Sequence, residues 1–181
     1  MSEAAGSDGR VEPFCRCWHV IKEIDVARLV AGHHRLAALC HELEACADAL
    51  PTLPSPTHSV ALCRLLAATV VRREGDRGNF PEALAGKRDT GLLAPLLMAR
   101  VGRLRLADAA YGQELIEALE DARHSQPVAG ETLGYLLRCV FEGCRRTMDV
   151  EGLVVLHLAS HRLTAEARML LVESLRRRSA V

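Results

Sequence analysis

The sequence predicts an all-α fold, with four long helices in an up-down-up-down bundle and a short additional C-terminal helix. Three observations favour this class. Apolar residues recur at helical spacing over four long segments, no segment alternates with the period of a strand, and the breaks contain Pro or Gly. A chain of 181 residues is also long enough to bury one core without disulfides.

The first predicted helix runs from about Ile24 to Ala49 and ends where three prolines within residues 50–57 prevent its continuation. Its apolar face contains one histidine, His33, whereas His34 lies a quarter-turn away. His33 is therefore expected to point into the core. The face consists of Val26, Leu29, Val30, His33, Leu36, Ala37, Cys40, Leu43, Ala47 and Leu50.

The second helix is predicted to start between Thr57 and Ser59 and to loosen at the glycines that precede Phe80. Its inner face is Leu62, Leu65, Leu66, Thr69, Val70 and Arg73. The third helix is predicted over residues 91–123 and ends before a break at residues 125–130. Its inner face is Leu93, Leu97, Val101, Leu104, Asp108, Tyr111, Leu115, Ala118 and Ala122.

The fourth helix is predicted from Glu131 to about Ser160, and Thr164 is the expected N-cap of a fifth, short helix. The fifth helix ends in the arginines at 176–178, which we interpret as a solvated helix end whose charge suits the helix dipole. The inner face of the fourth helix is Leu133, Leu136, Leu137, Val140, Cys144, Thr147, Glu151, Val154 and Leu158.

Polar residues on these apolar faces are the candidates for a site. A buried charge without a partner costs on the order of several kcal/mol. Such residues should therefore contact one another, a metal or water. The competing explanation is that a helical face has been assigned one position wrongly, in which case the polar residue does not face the core. The residues are His33, Arg73 with nearby Asp76, Asp108, and Thr147 with Glu151.

Composition excludes several classes of function. The 23 basic and 23 acidic residues cancel, so no overall positive field favours nucleic acid. No apolar run approaches the roughly 20 residues that span a bilayer, and the first residues lack a signal-peptide layout, so we expect a cytoplasmic protein without membrane contact. The excess of Arg over Lys indicates a GC-rich, bacterial-type coding bias. Seven cysteines, mostly within helical patterns, predict free buried thiols.

Residues 1–18 are predicted to form a flexible N-terminal segment before a single helical domain at residues 19–178. Cys15, Cys17 and His19 could bind zinc or haem, but a second pair of ligands is missing and the start of a helix is the simpler interpretation. We interpret His157 and His161, four residues apart, as a solvated pair. No phosphate-binding glycine loop or nucleophile elbow supports nucleotide-binding or hydrolase chemistry.

Three motifs carry a resemblance to a known family. They are Ala31-Gly-His33-His-Arg35 followed by Leu39-Cys40 and Leu43, then Phe80-Pro81, and then Glu151-Gly-Leu-Val-Val-Leu-His-Leu-Ala159 followed by Leu163-Thr164 and the arginine-ended helix. With these motifs the chain resembles a hemerythrin-like (HHE cation-binding) domain over about residues 19–178. The resemblance implies a four-helix bundle that holds a non-haem di-iron centre with histidines and two carboxylates. Its implied functions are reversible oxygen binding and the sensing of oxygen, redox state or iron.

Most of the ligands that the resemblance implies are replaced in this chain. The histidine of the first helix falls on His33, or on His34 if the register slips by one residue, and that of the third falls near Asp108. One of the usual five histidines remains, so the usual di-iron site cannot form with this set. In the second helix the ligand pair falls on Val71 and Gly75, or on Arg72 and Asp76, and in the fourth it falls on Thr147 and Glu151.

Two interpretations of this remnant follow. In the first, the chain is a non-enzymatic binding or regulatory module without a cofactor, and Arg72 or Arg73 supplies positive charge to Asp108 and Glu151. Its partner would be another protein, a second copy, or a small ligand in the emptied pocket. In the alternative, His33, Asp108 and Glu151, with Asp76 as a further candidate, form an altered site for non-haem iron, manganese or zinc in an oxygen or redox sensor.

Overall fold

The structure, a computed structural model, describes residues 23–71, 92–123 and 130–179, and these ranges are helical without a strand. The all-α class is thereby confirmed. The predictions for Cys15, Cys17 and His19, for Arg72, Arg73 and Asp76, and for Phe80-Pro81 lie outside the described residues. The helices are α1 Glu23–Asp48, α2 Pro56–Thr69, α3 Leu93–Arg123, α4 Gly130–Ala159 and α5 Ala165–Ser179.

The helix starts follow local chemistry. α2 begins at Pro56, slightly earlier than predicted, because the Ser55 hydroxyl accepts a hydrogen bond from the His58 backbone N–H at 3.3 Å. Proline is tolerated in the first turn, where its missing N–H would have no helical partner. Thr164 caps α5 as predicted, since its hydroxyl oxygen accepts from the Ala167 N–H at 3.2 Å.

The main core lies between α1, α2, α3 and α4. Contacts between α1 and α4 progress in opposite directions along the two helices, from His33 with Glu151 to Glu44 with Arg145. The same holds for α3 and α4, where Arg105 meets Glu151 and Asp108 meets Thr147. These helices enclose a continuous group of buried apolar residues, among them Leu36, Leu39, Leu43, Leu115, Leu119, Leu133, Leu137, Val140 and Met148.

α2 and α5 complete the fold on either side. Gly112 of α3 lets α2 approach closely, since a Cβ at this position would lie 3.2 Å from the Val70 side chain. On the other side α5 packs against α1 and the end of α4, and the Thr164 hydroxyl donates to Glu23 at 2.7 Å. The buried residues of this second cluster are Val26, Val155, Ala159, Leu163, Ala167 and Leu171.

The predicted faces agree best for α4, where all nine residues of the predicted face are buried. Two leucines were placed wrongly. Leu65 of α2 is 46% exposed and Leu93 of α3 is 53% exposed, while the neighbouring Cys63 and Ala94 are buried instead. In a chain this rich in leucine, the small side chains take the positions where helices approach closely, and some leucines remain at the surface.

Two further findings concern the described part of the chain. None of its helices is both long and apolar enough to cross a membrane. The five cysteines within it are free thiols, four of them buried, as expected for small apolar core residues.

Candidate functional site

A buried hydrogen bond joins the first and fourth helices. His33 of α1 is completely buried, and its Nε2 lies 2.9 Å from Oε2 of Glu151 on α4, whose side chain is 3% exposed. Both residues occur where helical periodicity predicted them, on otherwise apolar faces. His34 is exposed, so the histidine that faces the core is His33.

Arg105 of α3 binds the other oxygen of the same carboxylate. Its Nε donates to Oε1 of Glu151 at 2.5 Å, and its side chain retains 22% exposure. The aliphatic part of the arginine follows the apolar surface while the guanidinium reaches the buried carboxylate. Each oxygen of Glu151 therefore contacts a nitrogen from a different helix.

Arg178 of α5 approaches the opposite side of the imidazole. Its Nη1 lies 3.4 Å from Nδ1 of His33 and donates to the Ser174 hydroxyl at 2.9 Å. The guanidinium also donates to the Met148 carbonyl at 3.3 Å and to Asp149 at 3.1 Å. We call His33, Arg105, Glu151 and Arg178 the charge cluster.

The contacts of His33 assign its tautomer. A guanidinium has donors but no acceptor, so Nδ1 of His33 must be the acceptor in its contact with Arg178. The ring proton is then on Nε2, which donates to Glu151. A neutral imidazole satisfies both contacts, whereas a second proton would point at the arginine.

Asp108 lies one helical turn away from the cluster and has a different partner. Its Oδ2 accepts a hydrogen bond from the Thr147 hydroxyl at 2.6 Å, and both side chains are buried. The carboxylate packs so closely on α4 that a Cβ at Gly143 would lie 2.6 Å from Oδ1. A side chain at position 143 would therefore displace the Asp108 carboxylate.

A small cavity lies beside the charge cluster, between α1, α2, α3 and α4. Its volume of about 10 Å³ is close to the space that one water molecule occupies. Arg105 and Asp108 give it a polar wall, and Cys144 provides a thiol. The remaining lining residues are Leu36, Thr69 and Val70.

The described residues do not form a conventional metal centre. Within the parts of the chain that the structure describes, no three His, Cys, Asp or Glu side chains converge where they could hold an ion. Of the three predicted ligands, His33 and Glu151 bind each other, and Asp108 binds Thr147. The guanidinium of Arg105 contacts Oε1 of Glu151, and His33 contacts Oε2, so each oxygen of this carboxylate already has a nitrogen partner.

The prediction for the terminal arginines was wrong for Arg178. Its side chain is only 14% exposed, although Arg176 and Arg177 are at the surface as expected. A signal for this was available in the sequence. The buried residues Ala167, Leu171 and Ser174 follow each other at spacings of four and three, and the next helical position is Arg178.

Arg105 was also missed, because it is adjacent to Leu104 on the predicted face of α3. Leu104 is half-buried, and nothing in the spacing distinguishes it from its neighbour. The length of an arginine side chain, which extends past its own helical position, explains the error. The sequence predicted that Arg72 or Arg73 would supply positive charge to the buried carboxylates. Both arginines lie outside the described ranges.

The two histidines near the end of α4 are solvated, as interpreted from the sequence. His157 and His161 are both exposed. They do not share a helical face, however, because α4 ends at Ala159 and the chain turns before His161. The turn is closed by hydrogen bonds from the Arg162 and Leu163 N–H groups to the Ala159 carbonyl.

Comparison of the chain with known proteins identified no similar protein. No family model matches the chain, and neither a curated protein nor a solved structure does. The geometry of the described residues is therefore the basis for the assignment of function.

Proposed function

We propose that this chain is a hemerythrin-like four-helix bundle in which the charge cluster takes the place of the metal, and that it acts as a non-enzymatic binding module. The opposed directions of the contacts between α1 and α4 and between α3 and α4 support the up-down-up-down arrangement. The contact of Glu42 in α1 with His58 in α2, at 3.5 Å, supports the return of the chain after the first helix.

The environment of Glu151 carries the proposal. A buried carboxylate needs a positive partner, and in a metalloprotein of this architecture the ions supply it. Here Arg105 donates to one oxygen at 2.5 Å and His33 to the other at 2.9 Å. A guanidinium is a permanent cation, so Glu151 is neutralised without an ion whose oxidation state could change.

The cavity beside the charge cluster is too small to hold a small-molecule ligand. The cavity beside Arg105 has a volume of about 10 Å³, whereas pockets for small molecules usually enclose roughly 300 Å³ or more. Of the partners considered from the sequence, a ligand in the emptied pocket is therefore the one that the geometry disfavours. Binding is assigned to the outer surface.

The surface at the start of α3 fits a protein partner. Leu92 is 81% exposed, Leu96 is 61% exposed, and Leu106 is 60% exposed. Arg103 is seven residues after Leu96, on the same side of the helix, and is also exposed. Exposed leucines and an exposed arginine on this helix favour a partner that presents carboxylates among apolar residues.

Metal analysis tests the first part of the proposal. The protein is purified without chelator or affinity metal, and its iron, manganese and zinc contents are measured beside those of His33→Ala and of His34→Ala, the exposed control. We expect no stoichiometric metal in any of the three. Stoichiometric metal in the wild type that is lost in His33→Ala but kept in His34→Ala would overturn the proposal and favour the alternative metal-dependent sensor.

The binding surface is tested with an amphipathic helical peptide that has leucines on one face and glutamates on the other. We expect salt-sensitive binding that Leu96→Glu and Arg103→Glu abolish and that Arg176→Glu, an exposed arginine on α5, leaves unchanged. Equal affinity in all variants would contradict the assignment. A dimer in sedimentation equilibrium that Leu96→Glu dissociates would instead assign this surface to a second copy of the chain.

A further inference from the structure

The outer side of α5 presents carboxylates among apolar side chains. Met169 is 66% exposed, Leu170 is 43% exposed, and Glu166 and Glu173 are exposed beside them. These four positions fall within an arc of about 100°, on the side of the helix turned away from its buried residues. We call them the α5 surface. Glu173 also pairs with Arg177 of the same helix, so Glu166 is the carboxylate that we assign to a partner.

The exposed side at the start of α3 carries the opposite charge. Leu92 and Leu96 are exposed, and the exposed Arg100 and Arg103 follow them on the same side. We call these four residues the α3 surface. Arginines among leucines on one helix therefore match glutamates among apolar side chains on the other, and the chain itself carries both members of the match.

The two surfaces also match in spacing. Arg100 lies four residues after Leu96, and Glu166 lies four residues before Leu170, so each pair is separated by about 6 Å along its helix. When the two helices run in opposite directions, Leu96 meets Leu170 and Arg100 meets Glu166 at the same time. Parallel helices would instead bring the arginines of α3 toward the arginine-rich end of α5. The antiparallel arrangement is therefore favoured.

The helices that carry the two surfaces lie on opposite sides of α4. Val154 and Leu158 of α4 pack against α3. Gly152, on the other side of α4, lies against α5 so closely that a Cβ there would be 2.8 Å from the Leu175 side chain. A copy therefore cannot cover its own α5 surface with its own α3 surface. In a pair of copies that joins one surface of each kind, each copy still offers its other surface.

We propose that the partner of the α3 surface is a second copy of this chain, which binds through its α5 surface. The inference rests on the proposed binding function and names its partner. Because the two surfaces differ, the contact is heterologous and repeats from copy to copy, so the assembly is head-to-tail and grows with concentration. Few side chains take part and half of them are charged, so the association should be weak and should weaken further in salt.

Sedimentation equilibrium at several protein concentrations tests the proposal. We expect the average mass of the wild type to rise above that of one chain with concentration and to fall back in high salt. Leu96→Glu, and a variant that combines Met169→Gln with Leu170→Gln, should each remain single chains. The matched controls Leu153→Glu and Leu153→Gln, at an exposed leucine of α4 outside both surfaces, should associate as the wild type does. Circular dichroism confirms that each variant keeps its helices.

A mixture of the two altered proteins tests whether the contact joins unlike surfaces. Leu96→Glu retains its α5 surface, and the double glutamine variant retains its α3 surface, so the mixture should form a 1:1 pair. The pair should not grow, because the surfaces that it leaves over are the altered ones. Association of the double glutamine variant at the wild-type level would mean that two α3 surfaces meet, and would overturn the proposal.

Reversal of charge tests the antiparallel register. Arg100→Glu and Glu166→Arg should each weaken association several-fold, because like charges then face each other across the contact. A chain that carries both substitutions should recover the association of the wild type. Arg146→Glu, at an exposed arginine of α4, is the control and should have no effect. A double variant that associates no better than either single variant would overturn the proposed pairing.

The leucine–glutamate peptide separates this inference from the proposed function. The peptide should compete with the second copy for the α3 surface and lower the average mass toward that of one chain. A protein that binds the peptide through Leu96 and Arg103 but stays a single chain at every concentration would overturn this inference and leave the binding function standing. A protein that neither binds the peptide nor associates would contradict both.

Discussion

The interface between α1 and α4 has two halves with opposite chemistry. In one half, Leu43 of α1 and Leu133 and Leu137 of α4 bury hydrocarbon with almost no exposure. In the other half, His33 and Glu151 bury an imidazole and a carboxylate on the same two helices. One half of this helix pair therefore depends on side chains of matching volume. The other half depends on specific hydrogen-bond donors and acceptors.

This difference separates stability from specificity. Apolar burial contributes about 25 cal/mol for each Å² removed from water and tolerates a shift in register as long as hydrocarbon meets hydrocarbon. The polar half tolerates no shift, because Glu151 is satisfied only where His33 and Arg105 both reach it. We interpret the charge cluster as the element that selects one register of the helices at some cost in stability.

The largest effect is expected in the apolar half. Leu43→Ala should lower the free energy of unfolding by about 4 kcal/mol, within the range for a fully buried leucine, because its core neighbours cannot collapse into the space. Urea unfolding followed by circular dichroism measures it. The control is Leu65→Ala, since Leu65 is 46% exposed and should cost less than about 1 kcal/mol. Similar losses of unfolding free energy in Leu43→Ala and Leu65→Ala would contradict the large contribution that we assign to apolar burial at Leu43.

A slightly smaller loss is expected when the polar half is broken. Glu151→Leu should cost about 3 kcal/mol, at the lower end for a broken buried pair, since the partly exposed Arg105 can turn toward water. The triple variant Glu151→Leu, Arg105→Met, His33→Leu also replaces the two residues that contact the carboxylate oxygens of Glu151, and it should be more stable than the single variant. If the triple variant is the less stable of the two in urea unfolding, the cluster is a net source of stability and our interpretation is wrong.

Arg178 should contribute less than Glu151. Arg178→Ala removes hydrogen bonds to Ser174 and the Met148 carbonyl, and we expect a loss of about 1 to 2 kcal/mol. Arg177→Ala is the matched control, because Arg177 is exposed and its guanidinium pairs with Glu173 one turn earlier on the same helix. Nitrogen chemical shifts of His33 provide a second measurement. They should report the Nε2–H tautomer in the wild type, and a charged imidazole there would contradict the assignment.

The two halves were not equally predictable from the sequence. The apolar face of α4 was correct at every position because large apolar residues recur over a long helix, and His33 and Glu151 were found on such faces. Periodicity places a residue on a face, but it does not identify the partner on the next helix. Arg105 and Arg178 were missed for this reason, since their guanidinium groups act several ångströms from their own backbone positions.

The smallest effect is expected at the exposed edge of the same interface, where Arg145 donates to both oxygens of Glu44, at 3.0 and 2.5 Å. The hydrogen bonds from Arg145 hold the pKa of Glu44 below its ordinary value. A carboxyl group whose pKa is lowered by folding stabilises the protein above its ordinary pKa and loses that contribution as the pH falls through the lowered value. Because the pair is partly exposed to water, salt should screen it and its contribution should be small.

Glu44→Gln should therefore lower the urea midpoint slightly at neutral pH. As the pH falls into the acid range, the urea midpoints of the variant and the wild type should converge. Glu114→Gln, on the exposed side of α3, is the control and should show no such convergence. The measurement is the urea midpoint of each protein at several pH values and at low and high salt. A wild type that loses no more stability in acid than Glu44→Gln would mean that Glu44 gains nothing from Arg145. The specific polar contacts between α1 and α4 would then be confined to the interior, where water cannot replace them.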